Sequence, residues 1–568
     1  MRNFSRRDFL KLSASALAVA SISTIITGCS SQAERSKLSA VTFNHGVASG
    51  DATEQAVILW TRAVPVDATQ QQVMLAWQLA TDPNFNQLLR SGEVTTSAER
   101  DFTIKIDVQE LNAGQVYYYR FLGADNQSTV GRTKTLATGA IDSLKLAVFS
   151  CSNYPAGYFN VYREAALQAN LDAVIHLGDY IYEYAGDGYA TEKSKEIGRT
   201  YAENNNSEIL SLADYRSRYA RNRTDQALQQ LHATVPWYVV WDDHEIANDT
   251  WQQGAENHQV DTEGDFTARR LAAVKAYYEW LPIRPPQGED SLQIYRSFDF
   301  GNLLSLHLLD TRVLGREEPL DYKNYKSATS GQFDAARFQQ DMTKERALLG
   351  QEQFAWLQTK MQQSNSRWQI LGQQILMSKM HLPAEIFATE DYSKIPAQLT
   401  GLVAAKQRVL TAQQAGKPAD PTDLMRVSQV MPYNLDAWDG YAYEREKLYA
   451  TVKALGKPLL VIAGDTHNAW YSILRDQQGA QVGVEFATPS VSSPGMEQYL
   501  QIKPEQADAV ANAFSLLIND LEWCNLHQRG FMMLHINQSG VECEWQFIDN
   551  ILSPTYQVVA KHRQRFPQ

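Results

Sequence analysis

The chain has 568 residues, of which 44% are hydrophobic and 20% charged, and its formal net charge is −12. That length predicts two domains, one of them large, and the ordinary composition excludes a disordered chain and a membrane bundle. The acidic balance excludes a protein built to bind nucleic-acid backbones, which needs clustered Lys and Arg. It leaves phosphorylated small substrates open, because bound metal ions supply local positive charge.

The first segment reads as an address. Ser5-Arg6-Arg7-Asp8-Phe9-Leu10-Lys11 resembles the twin-arginine export signal, and a weakly apolar, Ala- and Ser-rich stretch from about Leu12 to Thr27 follows it. Such a stretch suits a signal core better than a spanning helix of about 20 strongly apolar residues. Ile26-Thr27-Gly28-Cys29 resembles a bacterial lipoprotein cleavage box, which makes Cys29 the lipidated first residue of the mature chain. The alternative is an ordinary small-residue cleavage site with an incidental cysteine. The expectation is an exported protein, periplasmic or at the cell surface, tethered to a membrane. The resemblance to twin-arginine substrates also implies export by the twin-arginine translocase in a folded, often cofactor-loaded state.

From about Ser39 to Ala137 short β-type runs alternate with turn signals: Val57–Trp60, Val73–Leu79, Thr103–Val108 and Val116–Leu122, punctuated by Gly92, Asn112-Ala113-Gly114 and Asp125-Asn126. This spacing predicts a small all-β sandwich. From Leu144 the pattern changes to apolar strands alternating with helices. Strands are expected at Leu144–Ser150, Ala173–Leu177, Trp237–Trp241, Leu303–Leu309, Trp368–Leu371 and Leu459–Ala463. Helices are expected at Phe159–Ala169, about Leu212–Leu231, Ala268–Leu281, Gln351–Gln363, Tyr443–Leu455 and about Pro504–Trp523. Polar excursions fall near 185–208 and 384–431, and Phe531–Asn537 and Val541–Ile548 form a β pair about Gln538-Ser539-Gly540. Four cysteines are too few for a disulfide scaffold; Cys524 and Cys543 form either a pair or two buried thiols.

Several of the strands end in metal-binding residues: Cys151, Asp179 with Tyr182, Asp243 with His244, and Asp465 with His467. Any one alone is an ordinary turn, cap or core residue. Parallel strands, however, bring their carboxyl ends to one edge, where open α/β sheets place their sites. His176, inside its strand, reads as core.

These blocks resemble the calcineurin-like metallophosphoesterases, most closely the PhoD-type alkaline phosphatases and phosphodiesterases. Phe43–Arg62 resembles that family's N-terminal β domain, and Phe149–Asn153, His176–Glu183, Trp241–Glu245, Ala463–Asn468 and Val484–Gly495 resemble its core blocks in order, so the likeness runs from about Asn44 to Asp549. It implies an α/β fold, a two-sheet β-sandwich flanked by helices, preceded by a small all-β domain of immunoglobulin or fibronectin type. The expected divisions are a signal peptide at 1–29, a β domain at 39–138, a catalytic domain at 139–550 and a C-terminal tail at 551–568. Departures from the wider superfamily are informative. Its Asp-x-His opening reads Cys151 and Asn153, its Gly-Asn-His-Glu reads Asp242-Asp243-His244-Glu245, and its Gly-His-x-His reads Gly464-Asp465-Thr466-His467.

The resemblance implies two ions. Cys151, Asp179, Tyr182 and His467 are grouped around one, where thiolate, phenolate and imidazole suit ferric iron. Asp179, Asp243 and Asp465 are grouped around the other, where hard oxygens suit Ca²⁺ or Mg²⁺, with Mn²⁺ and Zn²⁺ as alternatives. Asp179 bridges the two. A further histidine ligand is unassigned between His307, His381 and a solvent or phosphate oxygen. Two ions about 3.5–4 Å apart activate water for in-line attack on phosphorus. His244 then contacts the phosphate or protonates the leaving group. Arg312 is a candidate phosphate clamp, with an Asp310–Arg312 ion pair as the alternative. The expected activity is metal-dependent hydrolysis of small phosphate mono- or diesters by a monomer. The competing reading is a non-catalytic, lipid-tethered binding protein on the same fold.

Overall fold

The computed structural model describes residues 37–286, 292–327, 329, 331–388 and 394–567. The export signal, the Leu12–Thr27 stretch and Cys29 lie outside the described residues. Among those described, no helix is long and apolar enough to cross a membrane.

The chain forms a mixed α/β fold with several sheets. The largest has nine strands, in the order Val558–Phe566, Gly540–Ile548, Arg529–Asn537, Ser143–Phe149, Ala173–His176, Trp237–Val239, Val47–Gly50, Val57–Arg62 and Thr103–Val108. Its central run, Ser143–Phe149, Ala173–His176 and Trp237–Val239, is parallel. A seven-stranded sheet follows the order Arg296–Phe300, Leu304–Leu308, Trp368–Gln373, Leu459–Ala463, Gln481–Ala487, Ala469–Arg475 and Leu521–Asn525. Its central four strands are parallel.

Burial on both faces explains why the central strands read as unbroken apolar runs. Along Leu459–Ala463, Leu460 and Ile462 enter the core shared with Leu146, Val148 and Ile175 of the nine-stranded sheet. Leu459 and Val461 instead meet Phe354, Leu357 and Met361 of the helix Gly350–Gln363, and Leu448 and Val452 of the helix Ala442–Leu455. Each such fully buried side chain contributes about 1.5–3 kcal/mol. The two sheets are tied beside the strand ends by the Ser150–Ser490 bridge and by Thr488 Oγ1 donating to the Val148 carbonyl at 3.1 Å.

Several details differ from expectation. The strands Val47–Gly50, Val57–Arg62 and Thr103–Val108 join the nine-stranded sheet, with Trp237 paired to Gly50. One apolar core accordingly runs from Val41 to Ile548 across the expected boundary near residue 138. The remaining N-terminal strands form a four-stranded sheet, Leu88–Ser97, Gln72–Ala80, Val116–Leu122 and Gly131–Lys134. The stretch expected as a C-terminal tail supplies the edge strand Val558–Phe566. The helix expected over Leu212–Leu231 is two helices, Leu212–Asn222 and Gln226–His232, because Asp225 caps the second by accepting from the N–H groups of Ala227 and Leu228. The last expected helix ends at Leu517, and Leu521–Asn525 is a strand. Cys524 and Cys543 are both buried free thiols.

Candidate metal centre

Four of the expected ligands sit where the backbone turns left-handed immediately past a parallel strand or its loop. Their φ values are 63° at Cys151, 57° at Asp179, 63° at Asp465 and 62° at His467. Such conformations cost about 1–3 kcal/mol each in non-glycine residues and persist where the surroundings enforce them. One enforcer is Gly178, at φ 109°, where a Cβ would lie 2.3 Å from the Asp242 backbone nitrogen. Only glycine lets the two loops approach so closely. Another is Glu245, whose Oε2 accepts from Asp179 N at 3.0 Å and Asp242 N at 2.8 Å while its Oε1 accepts from Tyr180 N at 2.5 Å. This carboxylate staples two strand ends together.

The side chains converge. Ligand atoms of Cys151, Asp179 and His467 lie within 4.8 Å of one another, as do those of Asp179, Asp243 and His244, and those of Asp242, Asp243 and Asp465. Tyr182 joins the first group: its Oη donates to Asp179 Oδ2 at 3.0 Å, lies 3.3 Å from His467 Nε2 and accepts from Ser493 Oγ at 2.6 Å. Asp179 is thus common to the first two groups. The carboxylate grouping differs from the expected trio, since Asp465 clusters with Asp243 and Asp242 and not with Asp179. Asp242 was not foreseen as a member.

The geometry fits cations. Asp179 Oδ1 and Asp242 Oδ2 are buried acceptors without a hydrogen-bond partner, which is costly unless something positive completes them. Burial, with Asp243, Glu245 and Asp465 nearby, holds the Asp179 carboxyl well above the usual carboxylate range. Burial and the neighbouring carboxylates Asp436 and Asp243 push Asp465 up to about 7, against the pull of Arg312. Burial also raises the Cys151 thiol and the Tyr182 phenol, so both are neutral without a metal. His467 is held neutral by burial, its pKa lowered to about 3. Its Nδ1–H donates to the Pro494 carbonyl at 2.6 Å, which leaves Nε2, 3.3 Å from Tyr182 Oη, as the lone-pair nitrogen, the usual arrangement of a metal-binding imidazole.

His244 is the one cationic imidazole of the centre. Burial opposes its charge, but Asp243, Glu183 and Asp179 outweigh that and raise its pKa well above the ordinary value. Arg312 behaves differently from expectation. It is fully buried, and its guanidinium is 2.5 Å from Asp242, 2.6 Å from Asp436, 3.2 Å from Asp465 and 3.9 Å from Asp243. With its donors committed to these carboxylates it is a counter-charge beneath the acidic side of the centre and not an open phosphate clamp. The alternative Asp310–Arg312 pair also fails: Asp310 accepts only the Arg312 backbone N–H, at 2.9 Å, along with Trp241 Nε1 and the Val313 and Leu314 N–H groups. Neither candidate for the further histidine reaches the centre. His307 is engaged by Ser297 Oγ at 2.7 Å and Gln369 Oε1 at 3.0 Å, and His381 lies 3.3 Å from Asp439. His176 is core, bonded to Tyr162 Oη at 2.9 Å.

Comparison with known proteins shows the family. Residues 146–545 match the PhoD-like phosphatase family and residues 28–137 match the N-terminal domain of PhoD-like phosphatases. The chain belongs to the PhoD-like phosphatase family, and it is a phosphoester hydrolase. It is 33% identical over 468 residues to alkaline phosphatase D of Bacillus subtilis (strain 168), covering 80% of this chain and 70% of that one. Its fold matches the solved structure of PhoD with a TM-score of 0.70 at 28% identity, covering 92% of each chain.

Proposed function

We propose that the chain is an exported alkaline phosphatase or phosphodiesterase that hydrolyses small phosphate mono- or diesters at a two-ion centre. The observation that carries this reading is the convergence of Cys151, Asp179, Tyr182 and His467 on one side and Asp242, Asp243 and Asp465 on the other, with Asp179 at the junction. The thiol, phenol and imidazole set favours ferric iron, and the carboxylate set favours Ca²⁺, with Mg²⁺, Mn²⁺ or Zn²⁺ as alternatives. Ions held there supply Lewis-acid polarisation of a phosphoryl oxygen and lower the pKa of water.

The chain's own groups do the rest. His244, cationic and oriented by Glu183 at 2.7 Å, supplies a proton to the departing alkoxide oxygen. Glu245 and Gly178 hold the Asp179 and Asp242 loops in register. Arg312 balances the carboxylates from below. Around this centre, the two large sheets act as the layers of a sandwich flanked by helices, and the N-terminal all-β stretch 39–138, of immunoglobulin or fibronectin type, is built in part into the larger of them.

The signal-like N-terminus favours a twin-arginine export route and a lipid anchor at Cys29, placing a monomeric enzyme in the periplasm or at the cell surface. The net charge of −12 favours small esters over nucleic-acid backbones. The test is metal analysis and a visible spectrum of the natively exported protein, with Cys151→Ala as control, followed by turnover on monoesters and diesters. A colourless, iron-free, fully active enzyme overturns the iron assignment, and no turnover of any ester with metals bound overturns the catalytic reading.

A further inference from the structure

Two segments far apart in sequence meet over the centre. Tyr499, from the short helix Met496–Tyr499, donates its Oη to Tyr189 Oη at 3.2 Å. One residue before it, Gln498 Nε2 donates to Glu192 Oε1 at 3.3 Å. The loop after Ala173–His176 and the segment after Gly495 are therefore clasped by two side-chain contacts. Tyr189 continues inward: its Oη donates to the Pro494 carbonyl at 3.1 Å and lies 3.2 Å from Nδ1 of His467. Its ring stacks on Tyr182 with centroids 6.0 Å apart and meets Tyr184 at 5.6 Å, and Tyr184 meets His244 at 5.3 Å. An aromatic wall thus climbs from the ligands to the surface.

Tyr499 is its outermost member. It is 54% exposed, and through its hydrogen bond to Tyr189 it stands one side chain away from His467. Asp465 is the one carboxylate of the acidic trio that is partly open, its side chain 19% exposed.

What this wall recognises follows from which of its atoms are already used. The hydroxyl tips of Tyr499 and Tyr189 are tied to each other and to Pro494, so they offer little to a polyol such as glycerol. The nearest flanking charges are also spent: Glu497 pairs with Arg529, and Glu192 accepts from Gln498. The exposed ring of Tyr499 remains. An exposed aromatic ring beside a reaction centre binds a flat ring by stacking, and does so for any planar base or aryl group.

We propose that Tyr499, braced by Tyr189, is a specificity-determining residue that stacks a planar ring carried by the alcohol portion of the phosphoester, a nucleobase or an aryl group. This rests on the phosphoesterase reading of the adjacent centre.

The test compares metal-loaded wild type, Tyr499→Ala and Tyr499→Phe on phenyl phosphate, a nucleoside 5′-monophosphate and glycerol 3-phosphate, with metal content measured for each protein. Taking the mutant-to-wild-type ratio for each substrate removes the differing intrinsic reactivity of the leaving groups. Tyr499→Ala is expected to lower kcat/KM for a ring-bearing ester about tenfold more than for glycerol 3-phosphate, mainly through KM. Tyr499→Phe, which keeps the ring, is expected to restore most of that preference. Loss confined to phenyl phosphate or to the nucleotide identifies which ring source the platform serves. Equal losses on all three substrates, or none, overturn the proposal. Hydrolysis of none of them by metal-loaded wild type overturns the phosphoesterase reading and this inference with it.

Discussion

His244 presents Nδ1 to Glu183 Oε2 at 2.7 Å, and the same carboxylate accepts through Oε1 from Asn248 N at 2.8 Å and Asn257 Nδ2 at 2.9 Å. All the lone pairs used at Glu183 face donors, so an amide placed there turns N–H groups toward N–H groups. Glu183→Gln is expected to lower kcat about 10- to 100-fold, as loss of an orienting partner does. Metal content should stay at the wild-type level, because Glu183 is in none of the ligand groups. Steady-state kinetics beside metal analysis checks this, and loss of metal in step with activity would contradict it.

Cys151→Ala removes the thiol from the Cys151, Asp179 and His467 group while leaving the carboxylate group intact. The variant is expected to bind one ion fewer than wild type and to lose most of its activity. Elemental analysis after equilibration with the same metal mixture gives the answer; two ions retained in the variant would remove Cys151 from the ligand set.

Arg312 is the only cation paired with both Asp242 and Asp465 among the described residues. Its removal leaves carboxylates buried without a partner, the situation that costs roughly 3–5 kcal/mol when one member of a buried ion pair is deleted. Arg312→Gln is therefore expected to be strongly destabilised in the metal-free state, measured by denaturant unfolding after chelation. Saturating divalent cation should narrow the gap, since it supplies the missing positive charge.

Glu485 is fully buried on the strand Gln481–Ala487 and accepts from Met377 N at 2.6 Å and Ser378 N at 3.1 Å. Burial outweighs those donors and raises its pKa to about 7 from the ordinary 4.5. The folded state thus holds this proton more tightly than the unfolded chain. Its stabilising contribution is complete below the unfolded value and is lost as pH rises through 7, at no more than roughly 1.4 kcal/mol per pH unit. Glu485→Gln cannot titrate, so its melting temperature should fall less than that of wild type between pH 5 and pH 8. Parallel profiles for the two proteins would refute the linkage.

The strand ends were legible because burial on both faces writes itself as an unbroken apolar run, and Leu459–Ala463 matches its expected bounds without change. The ligands followed because metal-binding residue types stood directly after those runs. Glu183, Glu245 and Asp242 were harder to see. A carboxylate that orients an imidazole or staples backbone N–H groups has no signature in the chain, since its partners lie as much as 74 residues away. The strand Leu88–Ser97 was illegible because half of it is exposed, only one residue is buried, and it carries little hydrophobic pattern. Sheet membership was illegible for a different reason: nothing local in Val47–Gly50 says that it pairs with Trp237.

That pairing bears on how the protein can be taken apart. Asp51 N donates to the Trp237 carbonyl at 3.1 Å, and Trp60 Nε1 donates to the Glu279 carbonyl at 2.8 Å. A fragment beginning near residue 139 would bare the edge of Trp237–Val239, the strand that delivers Asp243 and His244, and an uncovered edge invites pairing with another chain. The catalytic part is therefore not a portable cassette. Grafting it onto another carrier, or swapping its N-terminal half for a relative's, requires carrying Val47–Gly50, Val57–Arg62 and Thr103–Val108 along as part of the same sheet.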